Sequence, residues 1–144
     1  MLINLTNHPF ANWSNEQIME TKKLYGEVCD YPFPAVPVDF TTDDISYMAE
    51  NIIEDIINRK KKIEDSTEQL SEVETQIASH AFAVMCQGEF TLTYALVCLL
   101  QKAGIEVVSA VSERIVREEK VGSEIRKTAV FRFAGFREYP VIKC

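Results

Sequence analysis

Ala81-Phe-Ala-Val-Met-Cys-Gln-Gly-Glu-Phe-Thr-Leu-Thr-Tyr-Ala-Leu-Val-Cys-Leu-Leu-Gln-Lys-Ala-Gly104 carries the strongest architectural signal in the chain. Ala81 to Cys86 is a short, nearly unbroken apolar run, the pattern of a strand buried on both faces. Gln87-Gly88-Glu89 turns the chain. Phe90 to Ala103 is apolar over a helical length and stops at Gly104, a residue suited to the position just past a helix end. Ile105-Glu-Val-Val-Ser-Ala-Val111 then reads as another strand. Strand, turn, buried helix and strand make a βαβ unit, which implies a parallel sheet with a helix N-terminus at its carboxyl edge.

Working outward, Leu2 to Thr6 reads as a first strand, ended by Asn7-His8-Pro9 because Pro9 cannot donate to a ladder. Ser14 and Gln17 have capping-box spacing for a helix whose apolar side carries Ile18, Leu24 and Tyr25 and which Gly26 closes. Glu27 to Tyr31 reads as a second strand, and Pro32, Pro34 and Pro37 impose an extended connection. Thr41-Thr42-Asp43-Asp44 starts a further helix, hydroxyl caps followed by acids at the positive dipole end. Ile45, Met48, Ile52, Ile53, Ile56 and Ile57 recur along it at helical spacing.

The cations Arg59-Lys60-Lys61-Lys62 mark that helix's expected end. Ile56, Ile63, Leu70 and Ile77 fall seven apart. Fewer than four heptads favour a second, loosely packed amphipathic helix over a coiled-coil arm, so a helical insertion is expected over about residues 58–79. Past the central unit, Arg114–Val121 and Ile125–Tyr139 flank Gly122-Ser123 as a hairpin. The expected order is β-α-β-α(α)-β-α-β-β-β. This is one α/β domain over residues 1–144, a Rossmann-like three-layer sandwich with a mostly parallel sheet and a C-terminal antiparallel hairpin.

The whole-chain numbers bound the function. The 144 residues suit a single core. A net charge of -7 disfavours long nucleic acid, whose backbone calls for basic surface. Cys29, Cys86, Cys98 and Cys144 form no C-x-x-C pair and read as reduced core thiols. No apolar run is long enough to span a bilayer, and no leader pattern opens the chain, so a cytoplasmic location is expected.

In an open parallel sheet, ligands bind beyond the carboxyl ends of the strands. Those ends offer Thr6, Asn7 and His8; Asp30 and Tyr31; Gln87, Gly88, Glu89, Thr91 and Thr93; and Ser109, Ser112, Glu113 and Arg114. Two readings stand for Gln87–Thr93. In one, Gly88 lets backbone approach a phosphate and Thr91 adds a hydroxyl. In the other, the turn is merely tight and Thr91 caps a helix. Glu89 opposes the first by its charge. His8 suits a general base or a donor to a phosphoryl oxygen, or else a polar strand end tied to backbone. Arg114 suits a bidentate phosphate contact, or else a surface pair with Glu113. Neither G-x-G-x-x-G nor G-K-[ST] is present, and two separated histidines make no metal set, so no cofactor or metal is called for.

Ile3-Asn-Leu-Thr-Asn-His-Pro9 with Trp13, Gly26-Glu-Val-Cys-Asp-Tyr-Pro-Phe-Pro34, Gln87–Leu96, Ser112-Glu-Arg114 and Phe136-Arg-Glu-Tyr139 resemble small CRISPR-associated, CARF-like proteins of prokaryotic defence loci. The likeness covers most of the chain outside Asn58–Ser79. It implies a Rossmann-like homodimer that binds a cyclic oligoadenylate second messenger across the dimer cleft. It also implies that some members cut the ring without a metal, by attack of a ribose 2′-oxygen. Carried over, it assigns Asn7 and His8 to phosphate or 2′-hydroxyl contact, the Gly88–Thr91 turn to phosphate, and Arg114 to charge stabilisation. The alternatives are a non-catalytic sensor or sponge of the same ligand, and a protein-interaction subunit with a vestigial crevice.

Overall fold

The computed structural model describes residues 1–68 and 80–143. Its elements are β1 (Leu2–Leu5), α1 (Asn15–Tyr25), β2 (Val28–Asp30), α2 (Thr42–Glu68), β3 (Ala83–Cys86), α3 (Phe90–Lys102), β4 (Glu106–Val121) and β5 (Glu124–Glu138). The five strands form one sheet in the order β2-β1-β3-β4-β5. β2, β1, β3 and β4 pair in parallel, and β5 pairs antiparallel to β4. The expected three-layer α/β sandwich is the architecture found.

Strand alternation divides the core. Ile3, Leu5, Val84, Cys86 and Val107 point to one face, where Ile45, Ile52, Ile53 and Ile56 of α2 and Leu92, Leu96 and Leu100 of α3 cover them. Leu2, Ala83, Met85 and Val108 point to the other, under Trp13 and Tyr25. β1 and β3 are buried along their whole length; β3 is an unbroken apolar run, and β1 is apolar except at Asn4. Each buried Leu, Ile, Val or Met side chain contributes roughly 1.5–3 kcal/mol by leaving water.

The local start signals are used as their chemistry demands. The Ser14 hydroxyl accepts from the Gln17 N–H. At the start of α2 the Thr41 hydroxyl accepts from the Asp44 N–H while the Asp44 carboxylate accepts from the Thr41 N–H, a reciprocal cap.

Three expectations are corrected. α2 does not stop at Arg59–Lys62 but runs on to Glu68. No glycine or proline lies between Thr41 and Gln87 to end it. Two of the cations pair with carboxylates one turn away, Arg59 with Asp55 at 3.5 Å and Lys60 with Glu64 at 2.5 Å. Residues 58–68 of the expected insertion continue α2, and the remainder, 69–79 with Leu70 and Ile77, lies outside the described residues. Second, Ile105–Val111 and Arg114–Val121 are one strand, not two: Ser112-Glu113 contains no breaker, and a register shift between Val111 and Ser112 absorbs the irregularity. Ser112 and Arg114 therefore sit inside a strand rather than past its end. Third, among the described residues only Cys86 of the expected core thiols is buried; Cys29 is half-buried, Cys98 is exposed on α3, and Cys144 lies outside the described residues. Among the described residues no helix is long and apolar enough to cross a membrane.

Burial pushes the Cys86 thiol up from its ordinary 9.0 to about 12. Burial, followed by the nearby Glu106 carboxylate, pushes the Tyr25 hydroxyl from 10.0 to about 12. Both groups hold their protons more tightly when folded than unfolded. Their contribution to stability is complete below the unfolded values and is lost as pH climbs through 9–12. The urea midpoint is expected to fall between about pH 8 and about pH 11, and Tyr25→Phe should flatten that fall.

Candidate functional site

The site is built on the end of β1. Asn4 shares a strand face with Leu2 and is 1% exposed. A buried amide must be bonded, and this one is saturated. Its Nδ2 donates to the His8 carbonyl and to Asp30 Oδ1, both at 2.8 Å, and its Oδ1 accepts from the Thr6 hydroxyl at 2.8 Å. Asp30 in turn accepts from the Phe10 N–H at 3.1 Å. The Trp13 indole N–H donates to the same His8 carbonyl at 2.9 Å, and the His8 N–H donates to the Thr6 hydroxyl at 3.1 Å. The backbone of His8 is thus held from both sides, while its ring stands exposed at the carboxyl edge of the sheet.

That ring lines a cleft of about 470 Å³ on the α1 side. Thr6 and His8 enter it from β1, Met85 and Gln87 from β3, and Ala110 and Ser112 from β4. The start of α1 supplies Trp13, Ser14 and Gln17, and β5 supplies Phe131 and Phe133. Gln87 also spans the gap left where β3 stops: its Oε1 accepts from the Ala110 N–H at 2.9 Å. Its Nε2 has no bond to any described residue. Among the described residues no carboxylate lines the cleft, and His8 is its one titratable side chain.

Of the residues singled out from sequence, Thr6, His8, Gln87 and Ser112 come together here. Asn7 does not. It faces an adjoining hollow of about 210 Å³ with Asn4, Pro9 and Asp30. Arg114 lies one alternation beyond Ser112 on the same strand face, opposite Phe131, and is outside the cleft wall.

Gly88, Glu89 and Thr91 lie outside it too, and the structure explains each. Glu89 caps α3: its carboxylate accepts from the Leu92 N–H at 2.8 Å, the Thr91 N–H at 3.1 Å and the Thr91 hydroxyl. Those bonds, Leu92 first, hold the Glu89 carboxyl below the ordinary range. The position where a phosphate would meet this helix end is filled by the chain's own anion. Gly88 faces the Phe33 ring, whose atoms would lie 2.5 Å from an added Cβ. The ring, not a ligand, makes the close approach.

A larger hollow of about 650 Å³ lies between α2 and α3, lined by Phe40, Ile45, Phe90, Tyr94 and Leu99 among others. Two of its hydroxyls, Thr41 and Thr91, are committed to helix caps, and Thr42, Ser46 and Tyr94 supply others. The smaller cleft is the better site, because convergent polar groups lie there at the sheet's carboxyl edge. Among the described residues no group of three or more His, Cys, Asp or Glu side chains is set to hold a metal ion.

A family model described as the Uncharacterized protein MJ1673 family matches residues 1–137. The chain belongs to that family. No curated protein and no solved structure matches it. The family match spans β1 through β5 and so includes every element that builds the cleft.

The aromatic wall was the part hidden in the sequence. Phe131 and Phe133 alternate along one strand, which puts them on one face. Which face required the pairings Ser112↔Phe133 and Arg114↔Phe131, a register that the alternation alone does not contain. Trp13 carried a signal only as a large ring beside a helix start.

Proposed function

We propose that this cleft binds a small nucleotide, and that the ligand is a cyclic oligoadenylate of CRISPR-linked antiviral signalling. The observation that carries the reading is the cleft's lining: a histidine, amide and hydroxyl groups, and the phenyl rings of Phe131 and Phe133, with no carboxylate to repel an anion. An adenine stacked on one of these rings gains about 1–3 kcal/mol, on the scale of alanine substitution. The Gln87 Nε2, the Ser112 hydroxyl and the His8 ring then serve as donors or acceptors to base, ribose or phosphate.

Cleavage of the ring is the second reading. It is favoured by the His8 imidazole, which no described residue hydrogen-bonds although its backbone is fixed. In that chemistry His8 takes the proton of a ribose 2′-hydroxyl as the oxygen attacks the adjacent phosphorus, the P–O5′ bond breaks to leave a 2′,3′-cyclic phosphate, and the departing 5′-oxygen takes a proton from water. The negative charge that develops calls for a cation, and none lines the cleft. Binding is therefore the primary conclusion, that of a sensor or sponge.

Purified protein incubated with cyclic tri-, tetra- and hexa-adenylate in chelator tests both. A thermal shift with one ring is expected, and Phe133→Ala should weaken that binding about tenfold or more. Mass spectrometry reads linear products. Products lost in His8→Ala with binding retained would establish cleavage. No shift with any ring would end the nucleotide reading.

A further inference from the structure

The helix layer opposite the cleft carries the hollow of about 650 Å³ between α2 and α3, a volume in the range of small-molecule pockets. Its two walls differ in kind. Thr42, Ser46 and Glu50 stand four apart along α2 and make a polar wall. Phe90, Tyr94 and Cys98 stand four apart along α3 and make a wall of two rings and a thiol. Ile45, Ala95 and Leu99 are buried or half-buried between them. Phe40 adds a third ring, held by a turn in which its N–H donates to the Pro37 carbonyl at 3.1 Å.

Two features set this hollow apart from ordinary helix packing. The first is uncovered aromatic surface. Phe90 is 89% and Tyr94 74% exposed, although the core face of the same helix is already complete with Leu92, Leu96 and Leu100. Large apolar groups gathered on a solvent face do nothing for the fold and mark a contact surface. The second is one-sided charge. Residues 40–50 and 87–99 hold Asp43, Asp44, Glu50 and Glu89 and no Lys, Arg or His. Asp44 and Glu89 are spent on helix caps, which also closes both helix starts to an anion. Glu50 forms no ion pair with any described residue.

We propose that this hollow binds a small organic ammonium, an amine or quaternary amine carried on an aliphatic or aromatic body. The body lies against Phe90, Tyr94 and Leu99, and the cationic head reaches Glu50 on the facing wall. A head that retains an N–H finds an acceptor in the Ser46 hydroxyl. The ring faces attract the same charge through their quadrupole, so both walls favour a cation. An exposed carboxylate by itself adds little affinity. Burial of the body therefore holds the ligand, and charge selects it over neutral and anionic molecules of the same shape. The hollow shares no residue with the cleft, so the proposal stands whatever the cleft binds.

Isothermal titration calorimetry of the full chain with octyltrimethylammonium, octanol and octanoate tests it, since the three probes share one chain and differ in head-group charge. The ammonium is expected to bind saturably, about two- to thirtyfold more tightly than octanol, with octanoate weakest. Glu50→Gln should bring the ammonium down to the level of octanol. Phe90→Ala/Tyr94→Ala should weaken the ammonium at least about fivefold. Both variants should keep the wild-type circular dichroism, because the changed side chains are exposed. Bound ammonium should also slow iodoacetamide alkylation of Cys98, the exposed thiol of the wall, and leave half-buried Cys29 at its free rate, as peptide mass spectrometry reads. No saturable binding, octanol or octanoate held as tightly as the ammonium, a preference that survives Glu50→Gln, or Cys98 alkylated at an unchanged rate would each overturn the proposal. So would a dimer in sedimentation velocity that Phe90→Ala/Tyr94→Ala dissociates, because a second copy would then be what covers the rings.

Discussion

Asn4→Ala is expected to lower stability by about 3 kcal/mol, three hydrogen bonds at about 1 kcal/mol each. Asn4 lines no part of the main cleft, yet it ties β1 to β2 through Asp30 and holds the His8 carbonyl. The same variant should therefore loosen His8 and weaken any ligand in the cleft. Asn4→Asp is no rescue, because its carboxylate would meet Asp30 where the amide now donates at 2.8 Å. The neighbour Asn7 is exposed, and Asn7→Ala should stay within about 0.5 kcal/mol of wild type. Urea denaturation with an unchanged m-value measures both. An Asn4→Ala protein as stable as the Asn7→Ala protein would contradict the network's role.

Gly88→Ala is expected to destabilise by about 1–3 kcal/mol, the range for overfilling a packed site. The backbone there has no positive φ, so an alanine is conformationally acceptable. The obstacle is space: three ring atoms of Phe33 would lie 2.5–2.6 Å from the new methyl. The ring cannot swing out cheaply, because it is 6% exposed and packs in the cluster with Leu5 and Cys86. Combining Gly88→Ala with Phe33→Leu should recover part of the loss, a coupling that a thermodynamic cycle isolates. If Gly88 served a phosphate instead, Gly88→Ala would keep full stability and lose ligand binding. The packing argument expects the reverse pattern.

Contacts distant in the chain set what the Gln87–Thr93 turn presents. The Gln87–Thr93 turn has every local feature of an anion cradle: a glycine, a helix start and a hydroxyl. Whether its amides are free depends on where the Glu89 side chain folds, and it folds back onto them. Whether the glycine is open depends on a ring fifty-five positions earlier in the chain. Neither fact is local, so neither is legible in the turn.

The sequence by itself determined the sandwich. The unbroken apolar run at β3 makes a strand covered on both faces, the isoleucine stripe of α2 makes a one-sided helix, and Gly104 and Gly122 punctuate where backbone must turn. These are short-range properties: periodicity, capping and allowed φ. It also marked Thr6, His8 and Gln87 as residues of the sheet's carboxyl edge, since a parallel order sends strand ends to one side; Ser112 reaches the cleft from inside β4. Only the tertiary structure decided the rest. The pairing of Ser112 with Phe133 turned an alternating hairpin into an aromatic wall, and the continuity of β4 carried Arg114 past the cleft onto a ribbon. Register between distant strands is set by long-range packing against one face or the other, and no local pattern encodes which face that will be.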